Sequence, residues 1–374
     1  MKAIAVFPKE RRVTLIDNHP EPQITSPNQV KLKIIEVGIC GTDREICSFA
    51  YGTPPEGSDY LVLGHESLGQ VIEVGAGVTK FKPGDLVVTM VRRPCDHSDC
   101  IACRSGRQDF CYTGDYKERG IKGLHGFMTE FVVDEECYML PAPQALLPIA
   151  VLTEPLTIAE KAMSQVCPIA SRFPWTNSAQ GQGANIGKLA NYNRAAILGA
   201  GPVGLLGAMV FVNAGFNTFV YSLEAENSPH ANIAKTIGTH YVSAQDKTIP
   251  EFAAMLGNVD YVFEATGGAK ISFEMVDVLG INGIFAFTGV SRADVVASEP
   301  VGDIMRNLVL KNQALVGTVN AAKADYQKAI DDLGDFLAKW PALMQTLIVR
   351  FPMEQYETLL FQANDNFKNV LKIS

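Results

Sequence analysis

Over the first 140 residues, short apolar runs alternate with polar turns. Val30–Val37, Gly69–Val74, Asp85–Val91 and Glu130–Val133 are punctuated by Gly-Ala-Gly and Lys-Pro-Gly-Asp. That pattern predicts an irregular, mostly antiparallel β domain. Residues 151–165 (VLTEPLTIAEKAMSQ) have helical spacing, and 168–193, rich in Pro, Gly, Ser, Gln and Asn, read as an inserted surface loop.

From Arg194 the period changes. AAILGAG, NTFVYSLE, HYVSA, VDYVFEATG and GIFAFTGV read as strands, separated by helical stretches through Phe211–Ala214, Asn232–Gly238 and Ile271–Leu279. This alternation predicts an α/β fold, a doubly wound parallel sheet of Rossmann type beside the β domain. From NAAKADYQKAIDDLGDF onward the chain returns to helix and short strand and folds back on the first domain. The expected division is 1–163, 164–320 and 321–374, with the third segment rejoining the first. Met163, Met305 and Met344 read as core packing.

Composition narrows the classes. With 374 residues the chain is long enough for two domains at roughly 100–200 residues each, and 47% hydrophobic against 19% charged residues excludes a disordered chain. A net charge of −8 gives no electrostatic support for nucleic acid or anionic membranes as partners. Ala195–Phe216 is long enough to suggest a membrane span, but four glycines before position 208, Pro202 and Asn213 favour a buried strand–turn–helix. The first apolar run, Ala3–Phe7, is too short for a signal-peptide core. Eight cysteines therefore point to a reducing cytoplasm, where thiols serve metals or catalysis.

Gly199, Gly201 and Gly204 form G-x-G-x-x-G directly after the strand Ala195–Leu198. Such a turn lets the backbone approach a pyrophosphate at a helix N-terminus; a glycine-rich turn of some other α/β domain is the plainer reading. Glu224 ends the next strand, where a carboxylate accepts from both adenosine ribose hydroxyls, although Glu226 stands close by and either could be a solvated loop charge. No Arg or Lys in SLEAENSP is available for a 2′-phosphate, so NAD is favoured, with NADP possible.

Two sets of residues suggest metals. Cys95, Cys100, Cys103 and Cys111, spaced C-x4-C-x2-C-x7-C among polar neighbours, suit a closed structural zinc site, with His97 able to replace one sulfur. Cys40 in GICGTD, His65 and Glu66 in LGHES, and Glu154 in VLTEPL could bind a zinc with an open position, or pack as isolated core residues.

GICGTDREI (38–46), LGHESLGQVIEVG (63–75), the cysteine lobe and the glycine turn, in that order, resemble the zinc-dependent medium-chain alcohol dehydrogenase superfamily. Residues 91–115, GIKGLHGFM (120–128), IAVLTEPLTIAEKA (149–162) and GTVNAAK (317–323) resemble its archaeal-type glucose, or aldose, 1-dehydrogenase branch. The pattern departs from that branch in its C-x4-C spacing, in Val91 where some relatives carry Asn, and in Asp325 where relatives often carry His.

The resemblance implies a GroES-like catalytic domain, one catalytic and one structural zinc, and hydride transfer from C1 of an aldose to NAD(P) beside that catalytic metal, giving the lactone. It implies that Cys40, His65 and Glu154 reach the catalytic zinc, that Glu66 ligates or exchanges with water, and that Thr42 relays the proton. Glu118 and Asn320, with Thr42 and Glu154, would hold the sugar. Gly199, Gly201, Pro202, Val203, Gly204, Glu224, Thr266 and Gly289 would hold the nucleotide. A homodimer or homotetramer is implied, paired sheet edge to sheet edge, for which GIFAFTGV is a candidate strand. Competing readings are a zinc alcohol or polyol dehydrogenase acting on a secondary alcohol, and a non-catalytic NAD-binding protein that kept the scaffold.

Overall fold

The computed structural model describes residues 1–173, 194–291, 301–362 and 364–374. The chain forms two compact units, Met1–Glu154 with Asn320–Ser374, and Pro155–Val319. The crossing from the first unit to the second falls at Glu154/Pro155, in the first turn of the helix Thr153–Ala170, whereas the sequence suggested 163. That helix also outlasts the expected end at 165, running through Pro168 to Ala170 because Val166 and Ala170 are buried; burial outweighs one lost donor in a last turn. Of the expected loop 168–193, residues 174–193 lie outside the described residues.

In the first unit, the strand Gln29–Gly38 is the axis of a seven-stranded sheet. Glu66–Val74 pairs with one edge of it, and Phe131–Glu135 and Lys368–Lys372 occupy the other, all antiparallel. A smaller sheet joins Arg12–Ile16, Ala3–Phe7 and Leu61–Val62. The side chains of Val30, Leu32, Ile34, Val37, Leu63 and Phe127 belong to one buried cluster that holds both sheets.

One register matters for the site. Gly38 lies opposite Glu66 on one side and Val370 on the other, and Ile39 N donates to Asn369 O at 3.0 Å. The C-terminal strand therefore delivers Lys368 to the end of Gln29–Gly38, where Cys40 begins a helix.

The second unit is a six-stranded all-parallel sheet. Its order is His240–Ser243, Asn217–Ser222, Arg194–Leu198, Val259–Glu264, Leu279–Phe287, Ala314–Gly317. Numbered along the chain this is 3-2-1-4-5-6, the dinucleotide-binding order, with the crevice at the reversal between Arg194–Leu198 and Val259–Glu264. The segment 195–216 is a strand, a turn and the twelve-residue helix Pro202–Asn213, and no helix among the described residues is long and apolar enough to cross a membrane.

Two expectations fail here. The GIFAFTGV strand is internal, bonded on both sides, and the edge is Ala314–Gly317. Met305 is 67% exposed rather than core, on the helix Val301–Leu310 together with exposed Val301, Val309 and Leu310. Met344 is buried as expected, and Met163 is half-buried.

Candidate active site and metal centres

Cys40 is the N-cap of the helix Gly41–Cys47, and its backbone N–H donates to Asp43 Oδ2 at 2.9 Å. This capping pair fixes the thiol direction: Thr42 N donates to Cys40 Sγ at 3.3 Å, and His65 Nε2 lies 3.0 Å from the same sulfur. The sulfur, an imidazole nitrogen and an oxygen of Glu66 all lie within 4.8 Å of one another. On the far side of the ring, His65 Nδ1 faces the buried Asp43 Oδ1 at 3.5 Å. A carboxylate behind a ligating histidine fixes its tautomer and raises its basicity.

Burial opposes a charged imidazole at 65, but Cys40 and Asp43 outweigh it and raise the His65 pKa well above its usual value. The surroundings thus call for positive charge. A thiolate, an imidazole and a carboxylate are a donor set that fits zinc.

Glu66 is also gripped by Lys368, whose Nζ donates to Oε1 at 2.6 Å, with both side chains 2% exposed. Gly38, between their strands, makes this contact feasible: a Cβ there would lie 2.0 Å from Glu66 Oε2 and 2.9 Å from Lys368 Cε. Burial works against the Lys368 charge, yet Glu66 and Cys40 keep its pKa raised.

Glu154 stands outside the 4.8 Å set. Its carboxyl is pushed up to about 7 by burial, with the charges of His65 and Glu66 acting on it in opposite directions. A cation nearby would return such a carboxyl to its ionised form.

Glu118 and Asn320 come together from distant segments, Asn320 Nδ2 donating to Glu118 Oε1 at 3.1 Å. Asn320 adopts φ +58°, an uncommon conformation for a side-chain-bearing residue. Arg92 is buried against the same Glu118 oxygen.

The sulfurs of Cys95, Cys100, Cys103 and Cys111 lie within 4.8 Å of one another, and Cys95 N donates to Cys103 Sγ at 3.4 Å. Four free thiols this close fit a closed tetrahedral zinc site. His97 instead pairs with Asp115 at 2.6 Å and is exposed.

In the second unit, Gly199 has φ +103°, and a Cβ there would meet Thr266 Cγ2 at 2.7 Å. The turn leads into the helix Pro202–Asn213, capped by Gly201, with Pro202, Val203 and Gly204 in its first turn. Glu224 is held by His230 Nδ1 at 3.5 Å and by the Ser222 hydroxyl. The His230 hydrogen bond, with that of Ser222, outweighs partial burial and holds the Glu224 pKa at about 2. Glu226 pairs with Lys235 at 3.6 Å and is exposed.

Asp43, Lys368, Arg92 and Glu264 are absent from the sequence reading. Glu264 is buried and accepts from Thr266 N, Thr266 Oγ1, Gly267 N and Gly289 N at 2.6, 2.8, 2.7 and 3.0 Å. It ties the loops that follow two adjacent strands, and through Thr266 it backs the glycine turn.

The family described as "Glucose dehydrogenase C-terminus" matches residues 147–373, and the "Alcohol dehydrogenase GroES-like domain" matches 26–144. The glucose 1-dehydrogenase of Methanocella arvoryzae is 36% identical over 352 residues, covering 94% of this chain and 93% of that protein. Glucose 1-dehydrogenase 2 of Vulcanisaeta moutnovskia is 35% identical over 379 residues, covering 100% and 99%. The structure of Haloferax mediterranei glucose dehydrogenase in complex with NADP, Zn and gluconolactone superposes with a TM-score of 0.87 at 31% identity, covering 100% of this chain and 99% of that one. With these motifs on this scaffold, the chain belongs to the glucose 1-dehydrogenase branch of the zinc-dependent medium-chain alcohol dehydrogenase superfamily.

Proposed function

We propose that this protein is a zinc-containing, NAD(P)-dependent aldose 1-dehydrogenase, oxidising C1 of a glucose-like sugar to the lactone. The observation that carries this reading is the grouping of half-buried Cys40 with buried His65 and Glu66 in the same unit as the Glu118–Asn320 pair. Cys40, His65 and a carboxylate of Glu154 or Glu66 would hold the zinc, which would supply Lewis acidity toward the substrate hydroxyl. A bound nicotinamide would supply the hydride acceptor.

The chain's own residues do the remaining work. Asp43 holds the His65 ring so that Nε2 faces the sulfur. Lys368 fixes the buried Glu66 carboxylate. Thr42, one residue into the helix, takes the hydroxyl proton and passes it toward solvent. Glu118 accepts, and Asn320 donates, to sugar hydroxyls. The substrate thus gives up one hydride and one proton, leaving a carbonyl at C1. Cys95, Cys100, Cys103 and Cys111 would hold the structural zinc of the first unit.

Glu224, ionised and oriented, accepts from the adenosine ribose and repels a 2′-phosphate, which favours NAD over NADP. Gly199, Gly201, Gly204, Thr266 and Gly289 shape the crevice around the nucleotide. Glu224→Ser is expected to lower kcat/KM for NAD relative to NADP by about 10- to 100-fold, the loss of one or two charge-assisted hydrogen bonds. Parallel progress curves with each nucleotide check this; an unaltered ratio rejects the ribose role.

A cytoplasmic location goes with this reading, since the cysteines stand as free thiols. So does a homodimer or homotetramer, for which the edge strand Ala314–Gly317 and the exposed apolar residues of Val301–Leu310 offer a surface. The direct test is NADH and NADPH absorbance across a panel of aldoses, polyols and simple alcohols. Aldoses should turn over fastest; a polyol or secondary alcohol that outruns every aldose overturns the assignment.

A further inference from the structure

Glu118 is held by more than its neighbour Asn320. Arg92 pairs with it across two antiparallel strands, Arg92–Arg93 and Lys117–Arg119. The guanidinium donates Nε to Glu118 Oε1 at 3.0 Å, and its Nη2 forms an ion pair with the same oxygen at 2.9 Å. Asn320 Nδ2 falls on the same oxygen at 3.1 Å. All three contacts crowd Oε1, and Oε2 accepts no hydrogen bond among the described residues. A carboxylate arranged in this way has one oxygen committed to the scaffold and one left to accept from a ligand hydroxyl.

The third nitrogen of Arg92 points elsewhere. Nη1 donates to the main-chain oxygen of Asp109 at 3.2 Å, and Gln108 Nε2 returns a contact to Arg92 O at 3.5 Å. Gln108–Phe110 is a tight 3-10 turn that ends on Cys111, whose N–H donates to Gln108 O at 3.1 Å. Asp109 is itself buried, with its carboxylate taken by Arg107 at 3.0 and 2.8 Å. The guanidinium plane is also packed 3.7 Å from the centre of the Tyr116 ring, which fixes its rotation. One rigid, buried, planar group thus spans from the last cysteine turn of the lobe to the carboxylate of Glu118.

We propose that Arg92 is a positioning residue that links the four-cysteine lobe to Glu118, so that an ordered lobe sets the affinity of the site for sugar. The inference rests on the reading above that Glu118 and Asn320 hold sugar hydroxyls. It gives the lobe a second task beside stability. When the turn at Gln108–Cys111 loosens, Arg92 loses one end of its span, and Glu118 loses its fixed direction. Lysine cannot replace arginine here, because a single ammonium cannot reach Glu118 Oε1 and Asp109 O in the same plane.

The test uses the zinc-loaded, full-length protein. KM for glucose, KM for the nucleotide, kcat, zinc content per chain and thermal midpoint are measured for Arg92→Met, Arg92→Lys, Cys103→Ser and Arg92→Met/Cys103→Ser. Calorimetric Kd for gluconolactone is measured alongside. Arg92→Met should raise the glucose KM and the gluconolactone Kd by about tenfold or more, as expected for a buried carboxylate that loses its charge-assisted hydrogen bond and its counter-charge. The nucleotide KM and zinc content should stay as in the wild type. Arg92→Lys should fall between, and carries the comparison if the Met variant does not fold.

Cys103→Ser should move the glucose KM and gluconolactone Kd in the same direction. The double variant should be no worse than Arg92→Met alone, since both changes cut one link. A structural role alone would lower the thermal midpoint and the active fraction while leaving both binding constants in place, and that result overturns the proposal. So do effects that multiply in the double variant. A wild-type protein that oxidises no aldose yet binds gluconolactone overturns the assigned reaction and leaves the role of Arg92 to be judged on Kd; one that does neither overturns both.

Discussion

Cys40→Ala should reduce aldose oxidation by about 1,000-fold or more, since the Lewis acid it helps to hold contributes several kcal/mol of the barrier reduction. The fold should survive. Cys40 is half-buried, and its side chain serves the backbone as the N-cap acceptor, taking Thr42 N at 3.3 Å and the Asp43 N–H of the capping box. Losing such a cap costs about 1 kcal/mol, and the partner bond from Cys40 N to Asp43 stays. The cysteine lobe lies on other segments and should keep its own metal. Zinc content should therefore drop from two ions per chain to one, with a near-native circular dichroism spectrum. His65→Ala should be equally inactive but less stable, because it strips the partner from the buried Asp43 carboxylate. Wild-type turnover from a Cys40→Ala protein that has lost one zinc would refute the role given to this cluster.

What could be seen in the sequence, and what could not, follows from how local each signal is. The lobe cysteines fall within one short stretch, and the glycine turn follows its own strand, so spacing alone suggests both. Asp43 leaves a trace too: a residue three positions after an N-cap is where a capping side chain stands, and GICGTD holds an acid there. Glu264, an acid closing the apolar strand VDYVFE before a Thr-Gly turn, leaves an equally local trace.

Lys368 left no such trace. Within FKNVLKIS it is one of two lysines on an ordinary strand. Its meaning comes from the pairing of that strand with Gln29–Gly38, at the far end of the chain. Arg92 is similar, since its partners Asp109 and Glu118 arrive from two other segments, and Asn320 joins it on Glu118 from a third. The misplaced sheet edge had a different cause. Internal parallel strands are apolar on both faces and read as continuous runs, which is what GIFAFTGV shows; its uniform apolarity was evidence for the interior. Met305 misled because helical apolar spacing marks a face without saying what covers it.

The largest stability effect should come from Lys368→Met. Lys368 and Glu66 are each 2% exposed, and the ammonium is the protein's charged partner for that carboxylate, at 2.6 Å from Oε1. Removing one member of a buried ion pair leaves the other uncompensated, at a cost of about 3–5 kcal/mol. For a domain of this size that corresponds to a fall in Tm on the order of 10 °C. The remaining carboxylate is left with the His65 imidazole nearby and, when bound, the metal that Cys40 and His65 would hold. The drop should therefore be smaller with zinc bound than after chelation, and the difference between the two measures how far Glu66 turns toward the ion. Replacing both residues, as Lys368→Met with Glu66→Leu, should recover most of the loss, because two apolar side chains of similar volume remove the unpaired charge that made the single change costly. Thermal unfolding of the four proteins, with and without chelator, completes the cycle. Equal losses in the single and double variants would mean that packing at Gly38, rather than the pairing of charges across it, is what Lys368 contributes.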